Sequence, residues 1–93
     1  MSAEDALVRT LTIVNKRGLH ARAAAKFVTL AETFGASVDV SRGGQSSSAR
    51  SIMGLMMLGA AKGDAITIHT QGEGSDAALL KLVGLVKDSF GED

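Results

Sequence analysis

The sequence predicts an α+β fold in which helices cover one face of a four-stranded sheet, forming a two-layer open sandwich. Two segments, 20–34 and 75–90, place apolar side chains at helical spacing. Three others, 7–14, 36–42 and 64–71, are rich in β-branched residues or alternate between polar and apolar side chains. A chain of 93 residues with 45% hydrophobic side chains is also long enough for one domain around one core.

The first strand and first helix are predicted from residue type and spacing. Residues 7–14 are rich in β-branched side chains and are bounded by Asn15 and Gly18, which is typical of a strand followed by a turn. The helix over 20–34 is expected to end at Gly35, which would form its C-terminal cap. The apolar stripe of this helix consists of Ala23, Ala24, Phe27, Leu30, Ala31 and Phe34.

The middle of the chain predicts a β-hairpin. Residues 36–42 alternate between polar side chains and inward-facing valines, and Gly43 and Gly44 suit a two-residue turn. The return strand over 45–50 is nearly all serine, which favours a solvent-exposed strand at the edge of the sheet.

The second half is expected to contain a short helix, a strand and a final helix. The short helix covers residues 51–58, and the strand over 64–71 points Ile66 and Ile68 inward. Ser75 is predicted to cap the last helix. The apolar stripe of that helix consists of Leu79, Leu82, Val83, Val86 and Phe90.

Composition argues against several classes of function. The formal net charge is zero and the three phenylalanines fall in predicted helices, which disfavours a nucleic-acid partner. With two histidines and no cysteine, we expect no metal site and no cofactor. No apolar run approaches the ~20 residues of a membrane span, so we expect no membrane insertion. The lack of cysteine favours the cytoplasm.

His20 is the strongest candidate for chemistry. It begins the first predicted helix, where backbone N–H groups lack partners and the helix dipole is positive. A phosphoryl group on its ring would meet those donors, and Arg22 would add a charged one. The alternative is a surface histidine that merely begins a helix.

The segment 51–60 is unusually apolar for a short surface helix. Leu55 and Leu58 can face the core, which leaves Ile52, Met53, Met56 and Met57, here called the methionine face, without a cover of its own. Flexible thioethers suit a surface that docks several partners. The alternative is that the sandwich buries more of this helix. Ser51 is explained as an ordinary N-cap, or more specifically as a regulatory phosphorylation site.

Three segments resemble HPr, the histidine-containing phosphocarrier of the bacterial phosphotransferase system. They read GLHARAAAKF at 18–27, SIMGLMMLG at 51–59 and AKGDAITI at 61–68, and the match runs in register from about residue 5 to 90. The resemblance implies a single domain over 1–93 with the order βαββαβα. It also implies an antiparallel sheet ordered 1-4-2-3 and a monomeric protein.

The resemblance also implies roles for individual residues. An enzyme I-type phosphotransferase that draws on phosphoenolpyruvate is expected to phosphorylate His20 on Nδ1, and Arg22 to stabilise the phosphate. The phosphoryl group would pass to IIA-type acceptor domains, which makes the protein a stoichiometric carrier and not an enzyme. Ser51 matches a regulatory serine on which a serine kinase/phosphorylase acts in some bacteria.

Partner docking is expected around the histidine and on the short helix. Relatives usually read His-Ala-Arg-Pro where this chain has Ala23, and alanine fits the first helical turn without strain. A second hypothesis is a regulatory paralogue of the nitrogen-type branch that acts mainly by phosphorylation-dependent binding. The predicted docking residues are Leu19, Ala23, Ile52, Met53, Met56 and Met57.

Overall fold

Four strands and three α-helices form along residues 6–92, the part of the chain that the computed structural model describes. Residues 1–5 and 93 of the predicted domain lie outside that part. The elements are β1 (Leu7–Thr12), α1 (Ala21–Ala31), β2 (Ser37–Arg42), β3 (Gln45–Ser48), α2 (Ile52–Met57), β4 (Ala65–Gln71), α3 (Ser75–Lys87) and a final 3-10 turn (Ser89–Gly91).

The sheet has the order β1-β4-β2-β3, and every neighbouring pair is antiparallel. This confirms the predicted fold class and strand order. The serine-rich β3 forms one edge, as expected for a strand with few side chains to bury. Gly43 and Gly44 connect β2 to β3 as a two-residue turn between paired Arg42 and Gln45.

The core lies between the inner face of the sheet and the helices. Ile66 and Ile68 of β4 alternate with more exposed neighbours and are almost fully buried, because the period of a strand is two. Phe27 of α1 and Leu82 of α3 bury their side chains in the same core. Most of the predicted apolar stripes are therefore confirmed. Leu30 and Leu79 are only partly buried, and Phe34 lies beyond the end of α1.

Predicted boundaries in the first half are corrected at β1, at α1 and at β3, which ends at Ser48 and not at residue 50. β1 ends at Thr12, because Ile13 leaves the ladder and forms backbone hydrogen bonds with Gly63 and Asp64. α1 ends at Ala31, and its last turn tightens into hydrogen bonds that span three residues. Gly35 is therefore not the cap, and Glu32 closes the helix in a right-handed conformation.

The ends of α3 also differ from prediction. Gly74 is the N-cap, with φ of +84°, and Ser75 is the first helical residue. Ser75 is buried and its carbonyl oxygen accepts a hydrogen bond from Thr70 Oγ1 at 3.0 Å. Phe90 lies beyond the helix in the 3-10 turn, yet it is fully buried because the chain folds back onto the core after Lys87.

Candidate functional site

His20 is the N-cap residue of α1. Its backbone is extended, with φ −77° and ψ 180°, and its side chain forms no capping hydrogen bond. The loop before His20 is held by the segment that follows α2, since Leu19 N–H donates to Ala60 O at 2.9 Å. Gly18 has a φ of +67° in this loop, a conformation that glycine adopts readily. The helix start predicted from sequence is thus confirmed, and its first-turn N–H groups are not engaged by the His20 ring.

Glu92 binds the ring of His20 from the other end of the described chain. Its Oε2 lies 2.5 Å from His20 Nε2, across a sequence separation of 72 residues. The two side chains are 17% and 20% exposed, so the contact is partly shielded from water. Sequence reasoning missed Glu92, because no local pattern connects the two positions.

Asn15 is the second residue that sequence reasoning missed. Its side chain is 1% exposed, and its Nδ2 donates to Gly18 O at 2.8 Å and to Glu92 Oε1 at 3.1 Å. It therefore joins the loop before His20 to the acid on the ring. The only sequence signal was an asparagine beside a turn, which is typical of turns in general.

The segment after α3 is held in place on its way to Glu92. Lys26 Nζ donates to Phe90 O at 2.7 Å, and the Phe90 side chain is fully buried. Ser89 and Phe90 both have positive φ, at +57° and +54°, which turns the chain back toward α1. Glu92 thus reaches His20 from an anchored backbone.

The surroundings of His20 are cationic. The hydrogen bond from His20, and then that from Asn15, lower the pKa of the Glu92 carboxyl below its ordinary value, and the charge of Arg17 acts in the same direction. Glu92 is therefore ionised at neutral pH.

Arg22 is exposed and its guanidinium has no partner among residues 6–92, which leaves it available to an anion. The cleft is lined by Lys16, Arg17, His20, Arg22, Lys26, Gly91 and Glu92.

The methionine face is exposed in the structure. Met53 and Met57 are 68% and 72% exposed, while Leu55 on the opposite side of α2 is fully buried. Ser51 is the N-cap, and its Oγ accepts a hydrogen bond from Gly54 N–H at 2.8 Å. This leaves an apolar surface beside a capping hydroxyl.

Two of the predicted docking residues are not on a surface. Leu19 is 5% exposed and Ala23 is fully buried, so both belong to the core and that part of the docking prediction is corrected. The reason is packing: α1 turns its Ala23 face toward the core. The loop containing Leu19 is held against the segment that follows α2 by a backbone hydrogen bond from Leu19 N–H to Ala60 O.

Residues 6–92 contain neither a metal-binding cluster nor a membrane-spanning helix. In that range, no group of three or more His, Cys, Asp or Glu side chains is placed to hold a metal ion. None of the helices in the same range is long and apolar enough to cross a bilayer.

An open βαββαβα sandwich whose first helix begins at a histidine in a basic cleft has the architecture of a histidine-containing phosphocarrier. Comparison with known families agrees with this class. The PTS-HPr family, described as the PTS HPr component phosphorylation site, matches residues 7–88. The chain belongs to the HPr family.

Individual relatives cover nearly the whole chain. Phosphocarrier protein HPr of Cupriavidus necator is 46% identical over 86 residues, which is 92% of this chain and 97% of the relative. Phosphocarrier protein NPr of Shewanella violacea is 44% identical over 86 residues, covering 92% of this chain and 94% of that protein. The crystal structure of HPr-C-His from Thermoanaerobacter tengcongensis superposes with a TM-score of 0.89 at 38% identity, covering 94% and 98% of the two chains.

Proposed function

We propose that this phosphocarrier takes a phosphoryl group on Nδ1 of His20 from an enzyme I-type phosphotransferase in the cytoplasm and passes it to IIA-type acceptor domains. The observation that carries the proposal is the His20 ring at the N-cap of α1. Because Nε2 is engaged by Glu92, Nδ1 is the ring nitrogen left to accept the group. The test is transfer of labelled phosphate from phosphoenolpyruvate to His20 in the presence of the enzyme I-type protein.

The N-terminus of α1 and the guanidinium of Arg22 would each stabilise the phosphoryl group by a moderate amount. A helix N-terminus stabilises an anion by about 0.3–1 kcal/mol when it is exposed. A hydrogen bond to a charged group contributes about 1.5–3 kcal/mol. These magnitudes orient a phosphoryl group without making its departure too slow, as a relay requires.

Arg22→Ala is expected to slow phosphoryl transfer about tenfold, the low end of what a charged hydrogen bond supplies, because the site is exposed. The guanidinium has no partner among residues 6–92 and acts mainly when negative charge gathers on the ring. Single-turnover transfer from the phosphorylated enzyme I-type protein measures the effect. Arg9→Ala is the matched control, since Arg9 is exposed on β1 outside the cleft. Equal rates for wild type and Arg22→Ala would mean that the helix terminus suffices.

Docking is proposed to use the methionine face, and Ser51 to regulate it. The support is the exposure of this apolar surface and the position of Ser51 at the start of α2. A phosphate on Ser51 carries about −1.5 to −2 charges at pH 7. Removing water from that charge opposes the docking of an apolar partner surface. A serine kinase/phosphorylase, where the host has one, would thereby weaken the relay.

Ser51→Asp is expected to weaken partner binding about tenfold while the thermal midpoint stays within a few degrees of wild type. Aspartate is as good an N-cap as serine, so the bond to Gly54 N–H can be kept. Met53→Ala is expected to weaken binding by a similar factor, because Met53 is 68% exposed and loses contact area on truncation. Calorimetric titration with the enzyme I-type and IIA-type partners measures both effects.

Ser37→Asp is the control, since it adds the same charge at an exposed position at the start of β2. It is expected to leave partner affinity unchanged. If Ser51→Asp and Met53→Ala both bind as tightly as wild type, the methionine face is not the docking surface. Ser51 would then be an ordinary helix cap.

A second candidate function is a regulatory, nitrogen-type phosphocarrier. It is favoured by the NPr relative, whose 44% identity is close to the 46% of the HPr relative. Measuring phosphorylation by a sugar-type and by a nitrogen-type enzyme I separates the two, because the correct donor is expected to transfer faster.

A further inference from the structure

Glu92 contacts Nε2 of His20, the ring nitrogen that the proposed phosphoryl transfer does not use. We propose that Glu92 is a positioning residue for the transfer: its carboxylate holds the proton on Nε2 of His20 and balances the charge of the phosphorylated ring. This inference rests on the proposed function of His20, and it assigns the reason why Nδ1 is the reacting nitrogen.

The tautomer follows from the hydrogen-bonding capacity of the two groups. An ionised carboxylate can only accept hydrogen bonds, so at 2.5 Å the shared proton belongs to His20 Nε2. A neutral imidazole carries one N–H, and its other nitrogen then has a free lone pair. Glu92 therefore leaves the lone pair on Nδ1 of His20, the N-cap residue of α1.

The charge on the ring changes during transfer. The Nδ1 lone pair forms the new N–P bond, while the bond from phosphorus to the donor breaks and its electron pair leaves with the donor. The proton stays on Nε2, so the phosphorylated ring is an imidazolium. When the group moves on to an acceptor, the N–P electrons return to Nδ1 and the ring is neutral again.

A carboxylate on Nε2–H stabilises the cationic form of the ring. The same physical relation holds where a buried acid orients a catalytic histidine and stabilises its imidazolium. Keeping the ring cationic also keeps Nδ1 a good leaving group for the onward step. Glu92 contacts Nε2, whereas the phosphoryl group is proposed to be on Nδ1, so the effect of Glu92 is exerted through the His20 ring.

Several contacts hold the carboxylate at this place. The buried Asn15 amide donates to Oε1, which leaves Oε2 for His20. The backbone before Glu92 is anchored by the buried Phe90 ring and by Lys26 Nζ. Arg17 lines the same cleft, and its charge favours the ionised acid.

The tautomer can be measured without any partner protein. Nitrogen NMR of the uniformly labelled full chain at pH 8 distinguishes protonated from unprotonated ring nitrogens. For wild type we expect the proton on Nε2 of His20. Glu92→Ala is expected to shift the ring toward a mixture of both tautomers. Glu92→Gln is expected to do the same, because its one amide oxygen cannot accept from both Asn15 Nδ2 and His20 Nε2. A wild-type ring protonated on Nδ1, or an identical tautomer ratio in Glu92→Ala, overturns the inference.

Single-turnover rates of phosphoryl transfer to His20 test the role of the negative charge on Glu92. Glu92→Gln is expected to slow single-turnover phosphorylation of His20 about tenfold, as for loss of a partly exposed charged hydrogen bond. Glu92→Ala is expected to slow it at least as much, and Glu92→Asp to recover part of the rate. Glu73→Gln is the control, because Glu73 is exposed in the turn before α3. Partner affinity is expected to be unchanged in all of them.

The outcomes separate this inference from the carrier function. If wild type accepts phosphate on His20 and the Glu92 variants transfer at the same rate, the positioning role is wrong and the carrier function stands. If wild type accepts no phosphate on His20, both are wrong. Slower transfer with an intact thermal midpoint and an altered tautomer in Glu92→Ala supports the inference.

Discussion

His20→Ala is expected to abolish acid-labile phosphorylation of the protein while leaving its fold intact. The ring is the proposed acceptor, and it makes no capping bond whose loss would free the start of α1. Its backbone, at φ −77° and ψ 180°, is one that alanine adopts without strain. Incorporation of labelled phosphate from phosphoenolpyruvate through an enzyme I-type protein measures the first effect, and thermal unfolding measures the second.

His69→Ala is the matched control, because His69 is the other of the two histidines in the chain. Its ring lies on the exposed side of β4, where Nε2 is 3.3 Å from Ser41 Oγ. This variant is expected to be phosphorylated like wild type. Label retained in His20→Ala at the normal rate would refute the carrier function proposed for His20.

Gly18→Ala is expected to cause the largest loss of stability among the variants considered. Gly18 has φ +67°, and a Cβ placed there would lie 2.5 Å from Ala60 O and 2.9 Å from Ala61 Cα. The left-handed conformation costs a non-glycine residue about 1–2 kcal/mol. Moving the two backbone segments apart adds about 1–3 kcal/mol. The free energy of unfolding, measured by urea denaturation, is therefore expected to fall by about 2–5 kcal/mol.

Gly43→Ala isolates the conformational part of this effect. Gly43 has a similar φ of +59°, but a Cβ added there would meet no heavy atom within 4 Å beyond its chain neighbours. Its loss is expected to be about 1–2 kcal/mol. The difference between the two variants is the contribution of the close approach to Ala60. Equal losses would show that this approach does not hold the loop before His20.

Much of the fold follows from local patterns. The helical stripes, the alternation around Val38 and Val40, and the two-glycine turn were all predictable, because period and turn chemistry are properties of neighbouring residues. The 1-4-2-3 strand order came from the resemblance to HPr and is confirmed. Local patterns were less informative at the edges of elements: Ser75 was predicted as a cap that Gly74 provides.

Burial around the site was less predictable than its position on the chain. Leu19 and Ala23 lie close to His20 in the sequence and were expected to dock partners, but both side chains are buried in the core. Met53 and Met57, also apolar, remain exposed because the short α2 buries only one side. Residue type alone does not distinguish these cases, since each depends on which elements pack together.

The sequence by itself determined that His20 begins a helix, with Arg22 nearby and an excess of cations in the same stretch. Only the tertiary structure decided that Glu92 engages Nε2 and that Asn15 holds Glu92. The physical reason is the backbone turn at Ser89 and Phe90. Both adopt positive φ without being glycine, so tertiary packing of the Phe90 ring sets a conformation that residue type does not encode.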